Sequence, residues 1–210
     1  MLIKIFLNLA KIGFFAIFFS GITAFVYEHT KPIIYKNIQE KEKKILKTIF
    51  NNYKYDKSIK YNCHITSNKL LGDKKRHRIW LIKRKNKLYG MIVESVALNG
   101  YSGSIKMIVG SNFSGKIFGV RVLEHRETPG LGDKIDLKIS NWITFFSNKN
   151  IFDLIDRGKF ALKKDGGIID QFTGASITPR AVINQIKNSV IFISKQKDTQ
   201  FLQTCNNEKK

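Results

Sequence analysis

The chain has 210 residues, enough for one domain with a real core plus an anchor or a tail, so it is not a small scaffold that depends on staples. Its 37 Lys and Arg against 16 Asp and Glu give a formal net charge of +21, a balance that by itself would suggest nucleic acid or an anionic membrane as partner. The lysines are scattered through every segment beside abundant Ile and Asn, however, which reads as compositional bias and argues against a nucleic-acid binder.

In chain order, the first element is apolar. Ile12–Tyr27, IGFFAIFFSGITAFVY, carries no charge, and counting back to Ile5 with Lys11 snorkelling gives the roughly 20 residues of a bilayer span. A cleaved signal peptide would have to use Ile22-Thr23-Ala24, a poor match to the small-x-small rule, so residues 1–27 read as an uncleaved anchor. Lys4 and Lys11 lie before the span, and Lys31, Lys36, Lys41, Lys43, Lys44 and Lys47 after it, so a count of positive charge would keep the large domain cytoplasmic. Domains longer than about 60 residues translocate largely regardless of charge, and sidedness stays open on these residues alone.

Lys31-Pro32 predicts a break, followed by a helical membrane-proximal segment over 28–60 with Ile34, Ile38, Ile45 and Ile49 at helical spacing. From Arg76 the texture changes to short apolar runs, RIWLIK, LYGMIVESVAL, IKMIVG and KIFGVRVLEH, which predict four sequential antiparallel strands. The connectors Lys85-Asn86-Lys87, Asn99–Gly103 and Ser111–Gly115 have hairpin or tight-loop chemistry. A helix is expected over Asp133–Phe146, capped by Asp133 and with Leu137, Trp142 and Phe145 as core positions. The last helix is expected to open at Thr178-Pro179, with Thr178 as cap and Val182, Ile186, Val190 and Ile193 on one face. The fold class is therefore α+β, an antiparallel sheet with flanking helices over 61–197, behind one N-terminal transmembrane helix and ahead of a polar tail, 198–210. Cys63 and Cys205 have neither metal spacing nor a CxxC pattern; they could pair in an oxidising compartment or remain two free thiols.

Two stretches could carry chemistry. In HRETPGLGDKI, His125–Ile135, Pro129, Gly130 and Gly132 expose backbone between a strand and a helix, which is either a structural turn or a surface on which a planar ligand lies. In DQFTGASITPRAV, Asp170–Val182, three hydroxyls fall within six residues. Overlapping hydroxyl-to-backbone turns would explain Thr173, Ser176 and Thr178 without a ligand. A phosphoryl group at Ser176 would instead sit just ahead of a helix N-terminus, flanked by Lys163, Lys164 and Arg180 and opposed by Asp170. A serine hydrolase is disfavoured: there is no G-x-S-x-G elbow, and His29, His64, His77 and His125 show no tie to Ser176. The basic stretch Lys69–Lys87 reads as a solvated hairpin face before it reads as a nucleic-acid or membrane-surface module.

Asp170, Thr173-Gly174-Ala175-Ser176 and Thr178, together with Glu127–Gly132, resemble the FMN-binding domain shared by the G component of the Rnf (Rsx) electron-transport complex and the C component of the sodium-pumping NADH:quinone reductase. The likeness to the first extends through the anchor, GYSGSIKMIVG, SNWITFF and KKDGG, in order. The resemblance implies an electron-carrier subunit of the translocase class, with no independent catalysis, no nucleic acid and no metal. It implies FMN esterified through its phosphate to Ser176, where the family commonly has Thr, by a flavin transferase that reads the surrounding Asp and hydroxyl pattern. Thr173, Gly174, Ala175 and Thr178 would line the phosphate and ribityl end, and Glu127, Thr128, Gly130, Leu131 and Gly132 the ring or its rim. It further implies an inner-membrane location with the soluble domain on the periplasmic side, beside the other subunits of the complex. The rival is a flavin-free, membrane-tethered structural subunit whose hydroxyls only cap a helix.

Overall fold

The computed structural model describes residues 2–50, 60–84, 87–196 and 203–205, in two compact units, 1–47 and 48–210. Helix α1, Leu2–Phe50, belongs mostly to the first. Its Ile3–Ile34 stretch is long and apolar enough to cross a membrane. The break predicted at Pro32 does not occur, since α1 runs through it. Proline removes one backbone donor, a loss that an otherwise unbroken long helix accommodates locally. Just upstream, the Thr30 hydroxyl donates to the Val26 carbonyl at 2.8 Å.

The second unit is built on an antiparallel sheet in the order β5-β4-β3-β2-β1-β6. Its strands are β1 (Lys60–Thr66), β2 (His77–Arg84), β3 (Lys87–Ala97), β4 (Ile105–Asn112), β5 (Ile117–Glu124) and β6 (Gln203–Thr204). The four predicted strands are all present, as β2 to β5. Two more join them. Strand β1, KYNCHIT, pairs with β2, and β6, inside the stretch read as a polar tail, pairs with β1 at His64↔Thr204 and Ile65↔Gln203. Cys63 and Cys205 form a disulfide across that edge, with Cα atoms 5.5 Å apart. Residues 85 and 86 of the first predicted turn lie outside the described residues, as does most of 198–210.

Side chains alternate across the sheet, so consecutive residues of β3 serve different layers. Met91, Val93 and Ala97 join Met107, Val109 and Val120 in the main core. Helix α3, Ile177–Lys195, covers that face with Val182, Ile186, Val190 and Ile193, each fully buried as the helical spacing predicted. On the opposite face the end of α1 packs so closely that a Cβ at Gly110 would stand 3.2 Å from Ile49. The helix expected over 133–146 is instead two 3₁₀ turns, Gly132–Ile135 and Trp142–Phe146. Asp136 and Ser140 explain the interruption by taking backbone groups a helix would need: Lys138 N donates to Asp136 Oδ1 at 3.0 Å, and the Ser140 hydroxyl donates to the Lys134 carbonyl at 2.6 Å. Ile135, Ile143 and Phe146 are fully buried there, whereas the expected Leu137, Trp142 and Phe145 are only partly so.

Glu94, 3% exposed, lies on the face of β3 opposite Val93 and binds Arg78 of β2 at 3.1 Å and Lys106 of β4 at 2.6 Å, joining three strands. Burial pushes its carboxyl up, but the hydrogen bonds and charges of Arg78 and Lys106 outweigh that and hold its pKa below the usual carboxylate value. A depressed pKa gives stability that is present above the unfolded value of about 4.3 and is lost as pH falls through the folded one. Glu94→Gln should therefore cost about 1–3 kcal/mol at pH 7, moderated because Lys106 is 40% exposed and regains water. Chemical denaturation across the acid range checks this: the variant should lose less stability than the parent on acidification, and parallel curves would disprove the assignment.

Candidate functional site: a cleft at the start of the last helix

Three segments meet at one end of the sheet: the β3–β4 loop, the turn after β5, and the chain leading into α3. The turn is tightly wound because the Thr128 carbonyl accepts from the amides of Leu131 and Gly132, both at 3.1 Å, and Gly130 at its tip has φ 77°. The third segment reverses at Gly174, φ 76°, where Ala175 N donates to the Phe172 carbonyl at 3.1 Å. Trp142 braces it from outside, its indole N–H donating to the Asp170 carbonyl at 2.7 Å.

Glu127 ties the three together. Its carboxylate is buried, accepting from the Thr178 hydroxyl at 2.5 Å and from the Ser102 amide at 3.2 Å. Its own amide donates to His125 Nδ1 at 3.2 Å. The carboxylate leaves no room beside it: a Cβ at Gly132 would stand 2.8 Å from Glu127 Oε2 and 2.9 Å from Thr178 Oγ1. Glycine is needed at 132 for that close approach, not for a special backbone angle, since 132 is not among the positive-φ glycines.

The result is a cleft of about 300 Å³. Glu127, Thr128, Leu131 and Gly132 form one wall, and Gly174, Ala175, Ser176 and Thr178 the other. Of the site residues read from the sequence, only Thr173 and Gly130 are not part of the lining; both are exposed. Sequence reasoning missed Tyr101 and Ile177, which complete the cleft. Tyr101 lies in the GYSGS loop, whose clustered glycines were a legible signal of a close approach, although nothing in them pointed to this cleft. Tyr101, Leu131 and Ile177 are 69%, 42% and 49% exposed, so the cleft has an apolar mouth.

Two expectations about capping are corrected. Thr178 does not cap α3: the helix begins one residue earlier, and the Thr178 hydroxyl is committed to Glu127. A charged acceptor outcompetes a neutral cap geometry because hydrogen bonds to ions are stronger. The N-cap position belongs to Ser176, whose side chain makes no capping bond and borders the cleft. Asp133 likewise caps nothing; it sits within the first turn of the 3₁₀ segment, with Oδ1 buried and unpartnered. Of the three flanking cations two are engaged, Lys163 with Asp170 at 2.5 Å and Arg180 with Asp165 at 3.0 Å, while Lys164 is exposed and makes no ion pair among the described residues.

The residues present fit FMN. An apolar mouth suits a flat ring, an uncapped N-terminus of a nineteen-residue helix suits a phosphate, and a hydroxyl stands at the junction of the two.

Comparison with known proteins agrees with this geometry. Residues 100–191 match the family model of the FMN-binding domain, which covers every residue lining the cleft, and residues 1–49 match the model of the RnfG N-terminal region. The chain is 46% identical to the G component of the ion-translocating oxidoreductase complex of Buchnera aphidicola subsp. Baizongia pistaciae, over 97% of this chain and 95% of that one. It is 43% identical to the protein of that name from Photorhabdus laumondii, over 87% of each chain, and 40% identical to that of Escherichia coli K12, over 86% and 87%.

If Glu127 is the tie, Thr178→Val and Glu127→Gln should each cost about 1–3 kcal/mol, and the double variant clearly less than their sum. A double-mutant cycle of unfolding free energies reads the coupling, and additivity would show that the two side chains act independently.

Proposed function

The chain belongs to the RnfG family, the G components of ion-translocating oxidoreductase complexes, and from that premise we propose that it carries electrons on FMN held by a phosphoester at Ser176. FMN, when bound, supplies the ring that accepts and donates electrons. The protein holds and orients it. The observation that carries the proposal is the state of Ser176: a half-buried hydroxyl at the N-cap position of α3 that makes no capping bond and borders the cleft.

The first-turn amides of α3, which have no side-chain cap, and the positive end of the helix dipole would hold a phosphate esterified there. Gly174 and Ala175 put no bulk beside the oxygen, so a large donor can reach it. Thr173, exposed next to them, and Asp170, exposed on the surface, offer a flavin transferase the features it would recognise during maturation. On the other wall Thr128 and Leu131 would hold the ring, with Gly130 at the rim and Gly132 letting Glu127 and Thr178 close in behind it. Serine in place of the family's usual threonine keeps the accepting hydroxyl and loses only the methyl that stiffens its rotamer.

The Cys63–Cys205 disulfide supports a periplasmic position for the soluble unit, because such bonds persist in oxidising compartments. The apolar stretch Ile3–Ile34 then serves as a single-pass anchor in the inner membrane, and the remaining subunits of the complex are the partners.

Protein made in cells that contain the transferase should give a fluorescent band under ultraviolet light on a denaturing gel and an intact mass larger by one FMN. Ser176→Ala should abolish both, and Ser176→Thr should keep them. A dark wild-type band would favour the flavin-free structural role instead. The same mass measurement should show two thiol hydrogens missing, and reduction should lower stability by about 2–4 kcal/mol; unmodified thiols in freshly isolated protein would remove the support for a periplasmic position.

A further inference from the structure

A second cavity, of about 350 Å³, lies on the far side of the β3–β4 loop from the cleft. The loop is shared: Tyr101 lines the cleft, and Ser102 lines the second cavity. The floor of this cavity is buried, and its groups are already engaged with one another: Glu94 is held by Arg78 and Lys106, and the 3%-exposed His77 by Asp73 at 2.8 Å. Its rim is different. Lys75, Arg76 and Arg126 are exposed, come from two separate loops, and make no ion pair among the described residues, against one exposed carboxylate, Glu124.

The rim stands out from the general lysine bias. Only 7 of the 37 basic residues are Arg, and Arg76, Arg126 and the Glu94-binding Arg78 gather here. The vertical order of charge decides what fits. A small multivalent anion seated deep would have to compete with Glu94 and Asp73 for cations and an imidazole they already hold, whereas carboxylates on a protein surface need reach only as far as the basic rim, unpaired among the described residues. Beside the rim lies the apolar mouth of Tyr101, Leu131 and Ile177, and an apolar centre flanked by charge suits a brief encounter that is steered electrostatically.

We infer that Lys75, Arg76 and Arg126 form a docking site for an acidic protein partner, one that sets its carboxylates on this rim while covering the mouth of the cleft. That the partner exchanges electrons rests on the electron-carrier reading; the binding itself does not.

The test uses the full chain in nanodiscs of uncharged lipid and a fluorescein-labelled peptide of alternating Glu and Gly, followed by anisotropy. Reversing the rim with Lys75→Glu, Arg76→Glu and Arg126→Glu together should weaken binding roughly tenfold or more, because it is charge complementarity that is lost. Reversing three exposed lysines elsewhere, Lys138, Lys159 and Lys195, changes net charge equally and should weaken it less than about twofold. Thermal melting establishes that each variant is folded. Ser176→Ala should leave peptide binding intact, which separates this site from the fate of the flavin. Equal weakening by the two triple variants would overturn the proposal in favour of net charge alone. Displacement of the peptide by inorganic phosphate at low concentration would overturn it in favour of a small-anion site, and tighter binding of duplex DNA through the same three residues in favour of nucleic acid.

Discussion

The arrangement of the cleft depends on one buried carboxylate. Glu127 accepts from Thr178 at the start of α3 and from Ser102 in the β3–β4 loop, while its own position is fixed by the turn that follows β5. A carboxylate has several acceptor sites and tolerates burial only when donors fill them, so both donors are drawn toward it and their segments come with them. The demand extends to glycines. Gly100 and Gly132 both stand where a Cβ would meet a Glu127 oxygen at 2.8 Å, so the sequence around the acid is constrained on two sides. The cleft is what remains between the three segments so joined.

That tie also explains the division of labour among the hydroxyls. Thr178 is committed to Glu127 and buried inside the first turn, and Ser176 at the N-cap position makes no capping bond, so the start of α3 has no side-chain cap. Capping by Ser176 would satisfy those amides and withdraw the hydroxyl from the cleft; its absence leaves a free oxygen and free donors side by side. Arg180 and Lys163, which looked in sequence like counter-charges for a phosphate, instead bind Asp165 and Asp170. With those two cations taken, backbone amides and the helix dipole are what the start of α3 itself offers an anion at Ser176, interactions that do not depend on mobile side chains.

What could be read from sequence follows the range of the forces involved. Strands β2 to β5 and the buried stripe of α3 were legible because hydrophobic periodicity is local. In β1 the alternation of Tyr61, Cys63 and Ile65 with Asn62, His64 and Thr66 was present but diluted by polar residues, and β6 is two residues long and exists only through its pairing with β1. The helix expected over 133–146 failed because Asp136 and Ser140 turn their side chains onto the backbone, a competition that an apolar pattern does not register. Most of the residues lining the cleft were legible through family resemblance and not through any local pattern. The Thr178–Glu127 bond spans 51 residues, and no spacing rule connects positions that far apart.

The same distinction bears on the charge of the chain. A net +21 spread over every segment carries little information, because each exposed lysine is solvated and screened within about 8–10 Å. Information lies in how charges are partnered. Glu94 shows one outcome, an acid placed deep enough that two cations must attend it, which fixes three strands in register. Lys75, Arg76 and Arg126 show the other: cations of separate loops brought to one rim, in no ion pair among the described residues and outnumbering the one exposed acid there, Glu124. The fold meets the first demand within itself. The second it leaves to whatever approaches from outside, and places it one loop away from the cleft.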